Sequence, residues 1–229
     1  MPTTETASIN LSQHFLIAMP GLQDSGFERS VIYICEHNEH GAFGLCINKP
    51  LEMPLEDLFA QNRLPLKRAD LIGQRICWGG PLHPDHGFLL HKKQLIEQQE
   101  QEQEQEQEQE QEQEQEQEQE QEQEQEQEQK ADTSYTSTLQ TADDLQMTTS
   151  KDVLDALSEG YGPAQVFAAL GYSAWSSGQL EDEIRNNSWL TVAADHALIF
   201  EVPFDERYDR AMLLLGVQPW ALAFQAGTA

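Results

Sequence analysis

The chain has 229 residues and a formal net charge of −27, with 40 acidic and 13 basic side chains. Fifteen of the acids belong to one Gln-Glu repeat, Gln98–Gln129, so the other 197 residues carry 25 acids against 13 bases. This balance disfavours general affinity for the nucleic-acid backbone, which needs clustered Lys and Arg. The apolar runs are far shorter than the ~20 residues of a membrane-spanning helix, so we expect no membrane span.

The N-terminus, 1–10, is polar and has no basic segment followed by an apolar run, so no signal peptide is predicted. The three cysteines, Cys35, Cys46 and Cys77, are few and odd in number. Such a set is typical of a reducing compartment rather than of a disulfide framework. We therefore expect a cytoplasmic location.

Short apolar runs separated by turns predict strands in the first half of the chain. Pro54 is suited to the first turn of a helix, which predicts a short helix over Leu55–Gln61. Glycine and proline turns, Pro20-Gly21 and Gly79-Gly80-Pro81, end two of the strands. The predicted strands are Phe15–Met19, Ser30–Cys35, Ala42–Asn48, Arg75–Trp78 and Gly87–His91.

The Gln-Glu repeat separates these strands from the second half of the chain. Glutamate at every second position places like charges at i and i+4, which opposes a helix, and no apolar side chain can bury a face. We expect a solvated loop, with an acidic partner-binding tail as the alternative. The predicted organisation is one domain over 11–97 and 139–217, an insertion at 98–138, a flexible N-terminus at 1–10 and a C-terminal tail at 218–229.

Helices are predicted for most of the second half. The segment Thr149–Asp152 fits a capping box, and the helix that follows it ends at Gly160. Gly162-Pro163 predicts the start of a second helix, which ends before Gly171. The remaining predictions are a helix opened by Ser176 and Gln179, a hairpin of Trp189–Val192 with Ala197–Phe200, and a last helix capped by Asp205. Strands interrupted by helices, with two hairpins, favour an α+β fold over a doubly wound parallel sheet.

Histidine and cysteine are scattered through the first half without the spacing of a metal-binding motif. His83 and His86 flank Pro84-Asp85, yet no Cys-x-x-Cys or His-Glu-x-x-His pattern accompanies them. Scattered His and Cys are more often core or surface residues, so we predict no metal site and no cofactor. The residues considered are Cys35, His37, His40, Cys46, Cys77, His83, His86 and His91.

No catalytic residue is predicted either. A cysteine nucleophile needs a neighbouring base, cation or helix N-terminus to form its thiolate, whereas Cys46 and Cys77 lie between apolar residues of predicted strands. The chain has no phosphate-binding loop, dinucleotide fingerprint or nucleophile elbow. Paired acids such as Asp182-Glu183 lie near a predicted helix start, where the helix dipole explains them.

Glycine turns and one aromatic segment form the candidate binding site. Turns at strand ends could meet around one concavity with the helix start after Trp175, which would supply a flat apolar wall and backbone N–H donors. The alternative is that the glycines serve turns and that Trp175 packs in the core. The residues predicted to form this cleft are Pro20, Gly21, Asp24, Asn48, Gly79, Gly80, Pro81, Trp175 and Gln179.

Several of these segments occur together, and in the same order, in one bacterial family. The sequence resembles the YqgE/AlgH family from about Leu11 to Val217, interrupted by the repeat. It departs from the family pattern in the extra Gln-Glu tract and at Cys46, where valine is usual. The segments that carry the resemblance are Phe15–Gly21, Val31–Asn38, Gly44–Pro50, Gly79-Gly80-Pro81 and Gly171–Leu180.

The resemblance implies an α+β fold, with a bent mixed or antiparallel sheet flanked by helices, and a cytosolic location. One branch of the family is named as a transcriptional regulator of alginate synthesis, but the resemblance supplies no DNA-binding motif and no catalytic residue. We therefore expect a regulatory or binding protein that affects transcription indirectly, through an unidentified protein or small-molecule partner. An enzyme or sensor for a small metabolite at the cleft is the alternative.

Overall fold

The structure is a computed structural model that describes residues 10–22, 26–92, 135, 137–141 and 144–216. The predictions for the N-terminus, the Gln-Glu repeat and the C-terminal tail therefore lie outside the described residues. Strands from both halves of the chain are present. They are β1 His14–Ala18, β2 Val31–Asn38, β3 Gly41–Cys46, β4 Pro50–Pro54, β5 Arg75–Trp78, β6 Leu82–Lys92, β7 Thr138–Gln140, β8 Leu145–Thr148, β9 Val166–Ser176 and β10 Trp189–Ala193.

These strands form one sheet in the order β10-β1-β2-β3-β9-β6-β8-β7, with β4 paired to β5 and β5 paired to β9. All of the predicted strands of the first half are confirmed, and Gly87–His91 proves to be the end of the longer β6. The polar residues at the start of β6 obscured that length, because strand recognition rests on an apolar run.

β9 is the central strand that joins the two parts of the sheet. It pairs antiparallel with β3 and β6 and parallel with β5, so the sheet is mixed. The helix predicted to begin at Gly162-Pro163 is wrong, because Val166–Ser176 is a strand of 11 residues. Val166–Ala169 is buried throughout, and a short apolar run does not distinguish a buried strand from a buried helix.

Five α-helices and one 3-10 turn, Ala69–Leu71, occur among the described residues. The predicted strand at Ala197–Phe200 is wrong. That segment is a helix whose first turn is capped by Asp195, which accepts a hydrogen bond from the N–H of Ala197 at 3.0 Å. In the part of the chain that the structure describes, no helix has the length and apolar character needed to cross a membrane. The helices are α1 Leu55–Gln61, α2 Lys151–Glu159, α3 Gln179–Arg185, α4 His196–Phe200 and α5 Arg207–Leu214.

Side chains alternate between the two faces of the sheet along each strand. Each face carries a cluster of buried side chains. On one face, α4 and α5 cover a cluster that includes Phe15, Tyr33 and Leu90. On the other face, Leu180 of α3 packs in a cluster with Trp175. A third cluster, beside the second, contains side chains of α1, α2 and the first part of β9. Helices thus flank a sheet on both sides, in an α+β arrangement.

Alkylation of the thiols tests the assignment of the cysteines to the core. We expect Cys46 and Cys77 to resist iodoacetamide in the folded protein and to react after unfolding. Both residues are fully buried, and burial raises the pKa of each thiol. Mass spectrometry of the labelled chain with and without denaturant provides the measurement. Rapid labelling of folded Cys46 at neutral pH would contradict its place in the core.

Deletion of the repeat tests the prediction that Gln98–Gln129 is a solvated insertion, which lies outside the described residues. β6 precedes the repeat in the chain and pairs with β8, which follows it. Segments on both sides of the repeat therefore belong to the same sheet. Deletion of Gln98–Gln129 is expected to move the thermal midpoint by only a few degrees, since ~1 kcal/mol corresponds to roughly 2–4 °C at this size. Circular dichroism during heating measures the shift. Loss of the cooperative transition would show that the repeat is structural.

Candidate functional site

A cleft of about 440 Å³ opens between the end of β9, α3 and the start of β6. This volume lies within the usual range for a small-molecule site. Apolar and aromatic side chains dominate the lining, and a few polar groups lie along the α3 side. The lining residues are Leu22, Phe27, Pro81, Leu82, Ser173, Ala174, Trp175, Gln179, Glu183, Ser188 and Trp189.

Two buried tryptophans form the floor of the cleft. Trp175 of β9 is 6% exposed and Trp189 of β10 is 4% exposed. Their rings meet edge to face, with centroids 6.1 Å apart at an angle of 85°. Phe27 lies against Trp189 at 5.6 Å and against Trp78 at 5.5 Å. The floor is therefore a rigid aromatic surface, because each ring is fixed by its neighbours.

Glu183 of α3 organises the polar side of the cleft. Its Oε2 accepts hydrogen bonds from the indole N–H of Trp175 at 2.9 Å and of Trp189 at 2.8 Å. Its Oε1 accepts from Nε2 of Gln179 at 3.0 Å. Oε1 of Gln179 accepts in turn from the backbone N–H of Ser176 at 3.1 Å. The carboxylate thus sets the orientation of both indole rings.

The local sequence explains why these groups meet. β9 ends at Ser176, and Gly178, at φ +78°, turns the chain directly into α3. Residues four apart on a helix lie on the same face, so Gln179 and Glu183 both face the tryptophans. Leu180 is buried in the adjoining core cluster and anchors the helix. The end of β9 and the first turn of α3 therefore form one side of the cleft.

The opposite rim is apolar and open to solvent. Leu82 begins β6 and remains 41% exposed. Pro81 precedes it, and Leu22 completes this edge from the turn after β1. An apolar group entering the cleft would contact Leu82 on one side and the tryptophan floor on the other.

The AlgH-like family model (DUF179) matches residues 15–220, which is most of the chain. The chain belongs to the AlgH-like family. A UPF0301 protein from Delftia acidovorans is 46% identical over 227 residues, covering 99% of this chain and 100% of that protein. A UPF0301 protein from an Acidovorax species, strain JS42, is 48% identical over 225 residues, with 98% of each covered.

Solved structures share the fold of this AlgH-like chain. The solution structure of AlgH from Pseudomonas aeruginosa has a TM-score of 0.66 and 36% identity, and the match covers 100% of both chains. A crystal structure of a Corynebacterium diphtheriae protein has a TM-score of 0.60 and 19% identity, covering 95% of this chain and 92% of that one. The match to AlgH confirms the predicted α+β fold with its bent sheet and flanking helices.

Three of the residues predicted for the site come together in the cleft of this AlgH-like protein. They are Pro81, Trp175 and Gln179. Pro20 and Gly21 lie in the turn after β1, directly before the lining residue Leu22. Asp24 lies outside the described residues.

Asn48 is placed away from the lining, where it links two segments of backbone. Its Oδ1 accepts a hydrogen bond from the N–H of Val31 at 2.8 Å, and its Nδ2 donates to the carbonyl of Arg29 at 2.8 Å. The Sγ of Cys46 lies 3.5 Å from the same Oδ1. Asn48 therefore fixes the start of β2 against the end of β3, and the structure gives it no position in the cleft.

Gly79 and Gly80 serve close packing of the backbone rather than ligand access. A Cβ atom on Gly79 would lie 2.2 Å from the carbonyl oxygen of Gly171, and one on Gly80 would lie 2.2 Å from the backbone of Tyr172. The N–H of Gly79 donates to the carbonyl of Leu170 at 2.8 Å. The expectation that a ligand approaches these glycines is therefore corrected, because β9 already occupies that space.

Sequence patterns missed several lining residues. Glu183 was explained as a residue that suits the helix dipole, although its i,i+4 spacing from Gln179 was a usable signal. Leu82 and Trp189 carried no local signal, because the pairing of β6 with β9 and of β1 with β10 brings them to the cleft. Phe27 reaches it from the turn between β1 and β2. Such pairings join segments that are far apart in the chain.

The histidines and cysteines differ in how deeply they are buried. All three cysteines are buried. His37 is buried, with Nδ1 accepting from the N–H of Leu11 at 3.0 Å and Nε2 lying 3.1 Å from Glu181. His91 is also buried, and burial lowers its pKa. His83 and His86 are exposed and form a group with Asp85, in which one donor atom of each residue lies within 4.8 Å of the other two.

Proposed function

We propose that this AlgH-like protein is a cytoplasmic regulatory protein that acts by binding a partner in the aromatic cleft. Regulation of transcription is then indirect, through that partner. The observation that carries the proposal is the rigid apolar floor of Trp175 and Trp189 beside the exposed Leu82. A pre-formed apolar pocket can receive an anchor side chain of a partner, and such contacts contribute most of the binding energy in protein complexes.

The engagement of the cleft's carboxylate favours binding over catalysis. Glu183 accepts hydrogen bonds from two indole groups and one amide. A general base needs a carboxylate lone pair that is free to take a proton from the substrate. A carboxylate has about four acceptor positions, so these three bonds leave little of the group available for that role. The same bonds hold the floor in one conformation, which lowers the entropy cost of binding a partner.

A sensor or enzyme for a small metabolite is the second candidate. The volume of about 440 Å³ favours it, because small-molecule sites commonly have this size. A ligand with a flat apolar body would cover Trp175 and Trp189, and a polar group on it could reach Gln179 or Ser173.

The regulatory assignment itself depends on the resemblance to the family branch that is named for control of alginate synthesis.

Leu82→Glu tests the cleft, with Ile72→Glu as the matched control. Both side chains are exposed and apolar, at 41% and 59%, but only Leu82 lines the cleft. Each variant would replace the native chain in a deletion strain. We expect Ile72→Glu to restore the transcript profile and Leu82→Glu to leave it as in the deletion. Affinity purification followed by mass spectrometry would compare the retained proteins and metabolites.

A protein retained by the native chain and by Ile72→Glu, but lost with Leu82→Glu, would support the regulatory proposal. A metabolite with the same pattern would support the sensor or enzyme instead. Equal restoration of transcription by both variants would contradict a role for the cleft. Circular dichroism of both purified variants controls for folding.

Direct binding to DNA is expected to be weak. With 25 acids against 13 bases outside the repeat, the dissociation constant for generic duplex DNA should exceed about 10⁻⁴ M at physiological salt, the weak end for non-specific binders. Fluorescence anisotropy of a labelled duplex at several salt concentrations provides the measurement. A micromolar complex with a steep salt dependence would make this protein a direct regulator.

A further inference from the structure

The ladder between β6 and β9 contains a four-residue bulge. Leu82 pairs with Tyr172, and the next pair is Gly87 with Leu170. Four residues of β6, 83–86, therefore lie opposite the single residue Gly171. A bulge changes the direction of the side chains it carries, and bulges are over-represented next to active sites. Its sequence here is His-Pro-Asp-His.

The packing of β9 keeps this bulge in place. Gly171 has φ +71°, and a Cβ atom there would lie 3.0 Å from the carbonyl oxygen of Leu82 and 3.3 Å from Cα of Pro84. His83 has φ +46°, a left-handed conformation that is uncommon for a residue with a side chain. Strained residues of this kind concentrate at functional sites, because the surrounding structure must hold them.

Ring contacts fix the first histidine of the bulge. The imidazole of His83 stacks on the ring of Tyr172, with centroids 5.7 Å apart and planes 9° from parallel. The imidazole of His86 lies edge-on to that of His83 at 5.5 Å. Nδ1 of His86 is 4.0 Å from Oδ1 of Asp85. The two imidazoles and the carboxylate thus gather on one side of the bulge.

We propose that His83, Asp85 and His86 bind a divalent transition-metal ion of the zinc type. One donor atom from each residue lies within 4.8 Å of the other two. Donors around a tetrahedral zinc ion lie roughly 3.4 Å apart, as follows from bond lengths of about 2.0–2.2 Å. All three side chains are exposed, so Asp85 and His86 can adjust their rotamers toward the stacked His83 when an ion binds.

The donor set determines the class of ion. Imidazole nitrogen with one carboxylate suits Zn²⁺, Co²⁺, Ni²⁺ and Cu²⁺, whereas Mg²⁺ and Ca²⁺ prefer oxygen ligands. Three protein ligands leave a fourth position open for water or for a group of a partner. The bulge directly follows Leu82, so an ion bound there would lie beside the rim of the cleft. Metal binding by the three side chains requires no partner in the cleft, because water can take the fourth position.

Titration with CoCl₂ and ZnCl₂ tests the site on the full chain. Cobalt reports coordination through its visible absorption, and calorimetry gives the affinity and stoichiometry for zinc. We expect one ion per chain with a cobalt spectrum of nitrogen and oxygen ligands. His86→Ala and Asp85→Ala should each weaken binding at least about 10-fold, because even indirect ligand partners contribute 10–100-fold to affinity.

The matched control is His40→Ala, since His40 is also an exposed histidine with a neighbouring acid, Glu39, at 3.7 Å. It should leave the affinity unchanged, and the 15 glutamates of the repeat contribute the same background to every variant. Equal affinity of the native chain, His86→Ala and Asp85→Ala would overturn the proposal. So would equal losses with His40→Ala, or the absence of a saturable cobalt spectrum.

Discussion

Replacement of Trp175 by alanine is expected to lower the free energy of unfolding by about 3–5 kcal/mol, the usual range for loss of a large buried aromatic side chain. Trp175 is 6% exposed and packs in the core cluster with Trp189 and Leu180. The substitution also removes one of the indole donors to Glu183. Urea denaturation followed by circular dichroism measures the change.

Gln179→Ala is the control for this prediction, because Gln179 lies in the same cleft but is exposed. Its loss removes solvent-accessible hydrogen bonds to Ser176 and Glu183, and we expect a cost of no more than about 1 kcal/mol. A Trp175→Ala variant with normal stability but altered function in cells would assign the indole to ligand binding rather than to the core.

Gly79→Ala is expected to destabilise the fold by at least about 3 kcal/mol, toward the upper end for overpacking of a rigid core. The added Cβ would lie 2.2 Å from the carbonyl oxygen of Gly171. Gly171 lies in β9 and Gly79 directly follows β5, so neither backbone segment can move without breaking the hydrogen bond between Gly79 and Leu170. The midpoint of urea unfolding provides the measurement.

Gly87→Ala supplies a matched control in the same sheet. A Cβ on Gly87 would meet nothing within 4 Å, and glycine weakens a strand by roughly 0.5–1 kcal/mol relative to alanine. We therefore expect Gly87→Ala to be neutral or slightly stabilising. Similar losses for the two substitutions would show that flexibility, rather than close packing, explains Gly79.

Local sequence signals predicted the fold where one segment carries enough information on its own. The capping pattern before α2 and Gly160 after it mark a helix that the structure contains over Lys151–Glu159. The failures occur at β9 and α4, where short apolar segments fit more than one element. Pairing with three other strands decides β9, and that information lies in distant parts of the chain.

The candidate site shows the same division. Pro81, Trp175 and Gln179 were found from a glycine turn and from aromatic residues beside a helix start, and they lie together. Asn48, predicted as a polar group of the cleft, instead links two backbone segments through its amide. Side-chain direction at a strand end depends on register and bulges, which the sequence pattern alone does not determine.

The late position of β9 affects how the protein is made. Residues 166–176 pair with β3, β5 and β6. β1 pairs with Trp189–Ala193, which is synthesised later still. Ribosomes release the N-terminal strands first, so those strands leave the exit tunnel without their central neighbour. Unpaired strand edges of this kind are prone to aggregation until their partners are synthesised. We therefore expect the sheet to be completed only after β9 has been synthesised, and to form slowly because its pairings are long-range.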